Sequence, residues 1–175
     1  GSELMNLDTQ KTQGVNPESA AISLVALAVA MNYLNTAQDK TMVAGSRYYS
    51  SIVIGSKVEL TGIEILVGST GGTDLWIFEL HDSTGALVAT TATAGTTAGT
   101  ASTFQRIAFT AQYQAEPGTY YIVVQSNGTT AKIGSFANAG LPITAGSAAG
   151  TFGTGAAITP PTTYTANVGP VIQLY

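Results

Sequence analysis

The stretch "TYYIVVQSNGTTAKIGSF", Thr119 to Phe136, decides the fold class. Its first half, Thr119 to Ser126, is crowded with β-branched and aromatic side chains, which pack well on a pleated, half-buried surface. Asn127-Gly128 interrupts the run, and Thr130 to Phe136 resumes it. A type I′ turn requires φ > 0 at both central positions, and Asn-Gly adopts that conformation readily, so the pair predicts a β-hairpin.

Working outward, the same alternation of apolar runs and turn residues recurs. Arg47 to Ile54, Val58 to Gly68, Asp74 to Leu80, Ala86 to Thr93 and Phe104 to Thr110 all read as strands. "GSTGGT", "HDSTG", "AGTTAGTAS" and "EPG" punctuate them, with Asp82-Ser83-Thr84-Gly85 as a second hairpin candidate. No helical βαβ spacing is present. The pattern therefore predicts an all-β chain, a single antiparallel β-sandwich or jelly-roll-like domain.

The composition agrees with a folded object and excludes several function classes. The chain has 175 residues, 9% charged and 45% hydrophobic, enough apolar material for one buried core. Six Lys and Arg against ten Asp and Glu give a net charge of −4, and no basic cluster offers a footprint for a nucleic-acid backbone. No cysteine is present, so there is no disulfide framework and no thiolate metal site.

The amino-terminal part divides by composition. Gly1 to Leu4 reads as a cloning scar before a native start at Met5, and residues 5–19 as a polar, flexible arm. Ala20 to Leu34 is apolar, but its leader carries Asp8 and Glu18 beside a single Lys11, the wrong charge for a signal peptide. About 15 residues are also short of the roughly 20 that span a bilayer, so no membrane is implied. Within that run Val25, Leu27, Val29, Met31 and Tyr33 alternate with small residues, which favours a strand. Asn16-Pro17-Glu18 would also start a helix, and both readings stay open. Residues 20–175 are expected to form the domain, ending in an extended segment over 140–175.

That segment contains "TPPTTYTANVGP", Thr159 to Pro170, without one charge. Each proline fixes φ, removes a donor and pushes its predecessor toward extended backbone, so the stretch suits a stiff run over a surface better than a central strand. The surface could be its own or a neighbour's. Pro160, Pro161, Tyr164, Val168 and Pro170 are candidate assembly contacts, with Leu24, Leu27 and Val29 as a second surface.

Constellations for chemistry fail on count or geometry. His81 is the only histidine; on a strand its neighbour Asp82 points to the opposite face unless the strand has already turned. Glu79 and His81 share a face at i, i+2, yet two ligands do not make a metal site, and no cofactor is expected. Glu59, Glu64, Asp74, Glu79 and Glu116 read as strand-edge charges that discourage aggregation. "GSTGGTD", Gly68 to Asp74, lacks the Lys step of a phosphate loop and reads as a hairpin loop. Tyr48, Tyr49, Trp76, Tyr120 and Tyr121 are the candidates for a sugar-stacking contact.

Three separated motifs carry a resemblance. "LTGIEILVGSTGGTDLWIFELHDSTGALVATT" (Leu60 to Thr91), "EPGTYYIVVQSNGTTAK" (Glu116 to Lys132) and the ending "TPPTTYTANVGPVIQLY" resemble, in the same order, a group of tailed-bacteriophage and prophage virion proteins with a β-sandwich domain. The resemblance covers roughly Gly45 to Tyr175. It implies a non-enzymatic structural role at the particle surface, after synthesis in the bacterial cytoplasm. Its first form is a capsid decoration protein of the cement or head-fibre type: a homotrimer contacting the major capsid protein or another virion protein. The alternative is a tail-fibre module recognising host surface polysaccharide. A hydrolase would need two carboxylates about 5 to 10 Å apart in one cleft.

Overall fold

A computed structural model describes residues 37–137 and 143–175. The expected arm over residues 5–19, the strand-or-helix question over Ala20 to Leu34, and Leu24, Leu27 and Val29 lie outside the described residues. The rest is an all-β antiparallel sandwich.

Eleven strands follow in chain order: β1 (Ala37–Thr41), β2 (Ser46–Ile54), β3 (Val58–Leu66), β4 (Leu75–His81), β5 (Leu87–Thr90), β6 (Thr96–Thr97), β7 (Phe104–Ala115), β8 (Gly118–Ser126), β9 (Lys132–Phe136), β10 (Ala145–Ala149) and β11 (Ile172–Leu174). The first sheet has the order β10-β2-β8-β4-β5, with β6 also on β4. The second layer joins β11-β3-β7 to the β1-β9 pair. Bridges Val67 to Ile133 and Ser135 to Pro170 stitch the two parts together.

Period-2 alternation divides each strand between the layers. Tyr48, Trp76, Phe78, Leu80, Ile122 and Val124 of the first sheet meet Ile63, Ile65, Ile107, Ile133 and Leu174 of the second in one apolar cluster. Trp76 and Phe78 meet edge to face, 6.0 Å between ring centroids. Each such side chain removed from water contributes on the order of 1.5–3 kcal/mol, and this core is the main source of stability.

The Asn127-Gly128 hairpin does not form. β8 is already flanked by β2 and β4, so it has no free edge for β9, which pairs with β1 instead. The loop crosses between layers, clamped by Asp74, whose carboxylate accepts the amides of Thr130 and Ala131 at 2.8 Å each. Asn127 Oδ1 accepts Leu75 N at 2.7 Å. "GSTGGTD" likewise crosses from β3 to β4, which lie in different layers, rather than closing a hairpin. The Asp82 to Gly85 hairpin does form between β4 and β5. Asp82 Oδ1 accepts the Thr84 and Ala86 amides, and Gly85 supplies φ +89°.

The carboxyl-terminal segment splits in two. Thr159 to Asn167 follows the surface, largely exposed, as the prolines suggest. The chain then dives inward. Gly169 O accepts Phe136 N, Val171 N donates to Gly134 O, and Val171 O accepts Leu66 N, so residues 169–174 lie between β9 and β3. Pro170 is tolerated because it stands opposite Ser135 at a non-hydrogen-bonded position, where the ladder bonds are made by Gly169 O and Val171 N and no donor is asked of the proline. Its carbonyl accepts Ser50 Oγ at 3.2 Å. Tyr175 O receives the amides of Thr61 and Gly62 at 2.7 and 3.1 Å, where β3 and β7 slip register.

Candidate functional site

The outer face of the first sheet carries an unusual set of side chains. Strand alternation sends Arg47 and Tyr49 of β2, Glu79 and His81 of β4, and Tyr121, Val123 and Gln125 of β8 away from the core. Arg47 faces Gln125 across the β2–β8 ladder, and His81 faces Tyr121 across β4–β8. Such a face would normally meet water. Here residues 150–161 run back over it as a strap.

Beneath the strap Arg47 is 4% exposed, Glu79 1%, His81 0% and Gln125 2%. Arg47 donates to Glu79 Oε2 at 2.5 Å and to Ala156 O of the strap at 2.8 Å. Gln125 Nε2 donates to Glu79 Oε1 at 2.6 Å and to Thr154 O of the strap at 3.0 Å. His81 lies 2.9 Å from Glu79 Oε2 through Nε2 and 3.0 Å from Gly85 O through Nδ1. Glu79 is thus the hub, and the strap's own carbonyls take the outward donors. Satisfaction by three partners is what makes a buried carboxylate tolerable.

The strap is built for close approach. A side chain at Gly155 would collide with Leu87, one at Gly150 with the Arg47 side chain, and one at Gly85 with Ile158 O. Ile158 N donates to Gly85 O at 2.9 Å. Its side chain joins Tyr49, Tyr121 and Val123 in a second, smaller apolar cluster.

This arrangement changes several sequence expectations. Glu79 is a buried hub on an interior strand, not a strand-edge charge. Tyr48, Tyr49, Trp76, Tyr120 and Tyr121 are 3%, 7%, 0%, 6% and 9% exposed. A stacking platform needs accessible ring faces. Inward-facing Tyr48, Trp76 and Tyr120 are in the core, and outward-facing Tyr49 and Tyr121 are covered by Ile158. Val168 and Pro170 are also buried by their own chain, Val168 in the main core. Pro160, Pro161 and Tyr164 are half-buried, with Tyr164 Oη donating to Phe136 O at 2.7 Å.

Asp82 caps the β4–β5 turn and does not orient His81. Glu79 and His81 do share a face, as their spacing requires, but Arg47 and Gln125 join them only through tertiary pairing of three strands. Sequence reasoning missed those two. The available signal was a charged or amide residue at an outward position of an otherwise apolar strand. Chemically, both Glu79 carboxylate oxygens are taken by protein donors and the strap seals the cluster, leaving Arg47 Nε and Gln125 Oε1 buried without a partner; the arrangement is suited to holding chain segments together. Among the described residues no group of three or more His, Cys, Asp or Glu is placed to hold a metal ion. No helix among them is long and apolar enough to cross a membrane. No protein-family model matches the chain, and no curated protein is similar enough to be matched.

Proposed function

We propose that this chain is a non-enzymatic structural protein of a tailed-bacteriophage particle, a capsid decoration protein that assembles as a symmetric homotrimer on the major capsid protein and stabilises the shell. The observation that carries this reading is the character of the β10 edge. Its sequence is Ala-Gly-Ser-Ala-Ala, its last three residues are exposed, and it borders the first sheet. Edge strands of monomeric proteins are normally guarded by charge or proline. β1, at the far edge of the second layer, has Asp39 and Lys40; β10 has neither in its own sequence, and although Ala145 is already bridged to Tyr164, Ser147 to Ala149 remain exposed.

Two further features support it. The groups best suited to acid–base chemistry are consumed inside the chain, with Glu79 and His81 at most 1% exposed. The three motifs that resemble virion proteins fall on β3 through β5, β8 with its following loop, and the carboxyl-terminal arm, so they sample both layers. Stabilisation of a shell by such a protein is mass action through many repeated weak contacts. Recognition of host polysaccharide through the five aromatic residues would require exposing rings that are now buried.

Light scattering tests the assembly claim. The expected mass is three times the 17.8 kDa chain, and Ala148→Lys, which charges the β10 edge, is expected to shift it toward the monomer. A monomeric parent protein at tens of micromolar would contradict the proposal, as would a trimer unaffected by Ala148→Lys for the role of this edge.

A further inference from the structure

We infer that the strap over residues 150–161 is a proton-dependent latch, closed by one proton held between His81 and Glu79 and released when that proton leaves. The argument is a count of hydrogens. Gly85 O can only accept, so the 3.0 Å contact to His81 Nδ1 requires that nitrogen to carry a hydrogen. The Arg47 Nη2 group has two hydrogens, and its two short contacts, to Glu79 Oε2 and to Ala156 O, use both. Gln125 Nε2 likewise spends its pair on Glu79 Oε1 and Thr154 O. Nothing is left to fill the 2.9 Å gap between His81 Nε2 and Glu79 Oε2 except a proton of their own.

Without that proton the neutral ring has one hydrogen for two acceptors, so a lone pair faces either Glu79 Oε2 at 2.9 Å or Gly85 O at 3.0 Å in a site almost wholly shut off from water. The nearest donor is already in place. With the ring hydrogen on Nδ1, His81 Nε2 becomes a third acceptor 3.4 Å from Arg47 Nη2 and competes with Glu79 and Ala156 O for its two hydrogens. With the hydrogen on Nε2, the lone pair faces Gly85 O, the carbonyl that holds the Ile158 amide. Either arrangement therefore weakens a contact that holds the strap. The sign follows directly: proton loss weakens the closed state, so raising pH opens the strap and lowering pH closes it.

Among the described residues, the charged and titratable groups that face the cluster are few. β2 offers Arg47 and Tyr49, β4 offers Glu79 and His81, β8 offers Tyr121 and the uncharged Gln125, and the β4–β5 turn offers Asp82, whose carboxylate is engaged by Thr84 and Ala86. The strap has no ionisable side chain between Gly150 and Pro161. Tyr113, on β7 in the other layer, is pushed up to about 12 by burial first and then by the Tyr120 hydroxyl, and stays neutral below pH 9.

His81 is the single histidine, so its ring nitrogens give one unambiguous NMR titration. The experiment follows that ring together with hydrogen exchange of the Ile158 amide, which is bonded to Gly85 O, from pH 5.5 to 9 after correction for intrinsic exchange chemistry. Exchange at Ile158 is expected to rise at least about tenfold across the ring's own transition, while the Leu66 amide, bonded to Val171 O in the other layer, stays protected. In His81→Gln, which keeps a permanent donor toward Glu79, the rise is expected to vanish. A ring transition with no change at Ile158, or an equal change at Leu66, overturns the latch; the first two readouts decide it even if His81→Gln does not fold.

Discussion

The two halves of the carboxyl-terminal arm are held by opposite means. The strap contributes one buried aliphatic side chain, Ile158, and otherwise presents backbone carbonyls to Arg47 and Gln125. The final stretch, residues 168–174, contributes Val168, Ile172 and Leu174 to the main core and exchanges backbone hydrogen bonds with β9 and β3. Apolar burial between two sheets is insensitive to pH and is lost only when the layers part. A few polar contacts, by contrast, can be rearranged one at a time. One arm therefore combines a permanent anchor with a cover that can be lifted.

The most drastic way to break the comparison is to delete residues 169–175. That removes the middle of the second layer and leaves β9 and β3 without a shared partner, and thermal melting followed by circular dichroism is expected to show no cooperative transition. A truncated chain that melts cooperatively would demote the strand from anchor to accessory.

Glu79→Ala comes next. It leaves Arg47, His81 and Gln125 buried without their common acceptor, and breaking the buried Arg47–Glu79 ion pair costs about 3–5 kcal/mol. Denaturant unfolding measures it; a loss below about 1 kcal/mol would mean the cluster is not the hub described. Leu174→Ala, a cavity under the anchor, is expected to cost about 3 kcal/mol while leaving Ile158 exchange unchanged at fixed pH.

Gly85→Ala sharpens the contrast from the other side. A Cβ at φ +89° costs roughly 1–2 kcal/mol, and the new methyl would strike Ile158 O. Its expected signature is faster exchange at Ile158 with little change in the second layer. The smallest effect is expected at Asp82. The Thr84 hydroxyl, followed by the turn amides, holds its carboxyl below the usual carboxylate range. A depressed value means stability present above that range and lost as pH falls through the folded-state value. Asp82→Asn is expected to flatten the acid limb of the stability curve slightly, read by melting temperature between pH 2 and 5.

Much of the fold was legible because strand periodicity is a local property. Seven segments read from residue type each fall on a strand, and β2 and β8 match to within a residue at either end, whereas β7 runs five residues past Thr110. Pairing was not legible. Asn127-Gly128 is a good turn in isolation, but the two open sides of β8 are claimed by β2 and β4 from distant parts of the chain. β10 was hidden because Ala-Gly-Ser-Ala-Ala has almost no β preference of its own; it is extended because β2 offers an edge. β11 was hidden by the prolines before it.

The candidate site shows the same division. Glu79 and His81 share a face by simple alternation, whereas Arg47 and Gln125 reach them only through the β2–β8–β4 order. Burial was the harder part. Alternation placed Tyr49 and Tyr121 outward, and nothing local announced that residues 150–161 would return to cover them. Glycines at 150 and 155, read only as part of an extended segment, are the residues that let the strap come close.

The division of the arm is tested most directly by residue-resolved hydrogen exchange at one pH with increasing denaturant. The account predicts that the Ile158 amide exchanges through a local opening independent of denaturant, at a free energy well below that of unfolding, while the Val171 amide, bonded to Gly134 O, exchanges only with the whole molecule. Equal protection of the two amides, both rising and falling with global stability, would contradict it.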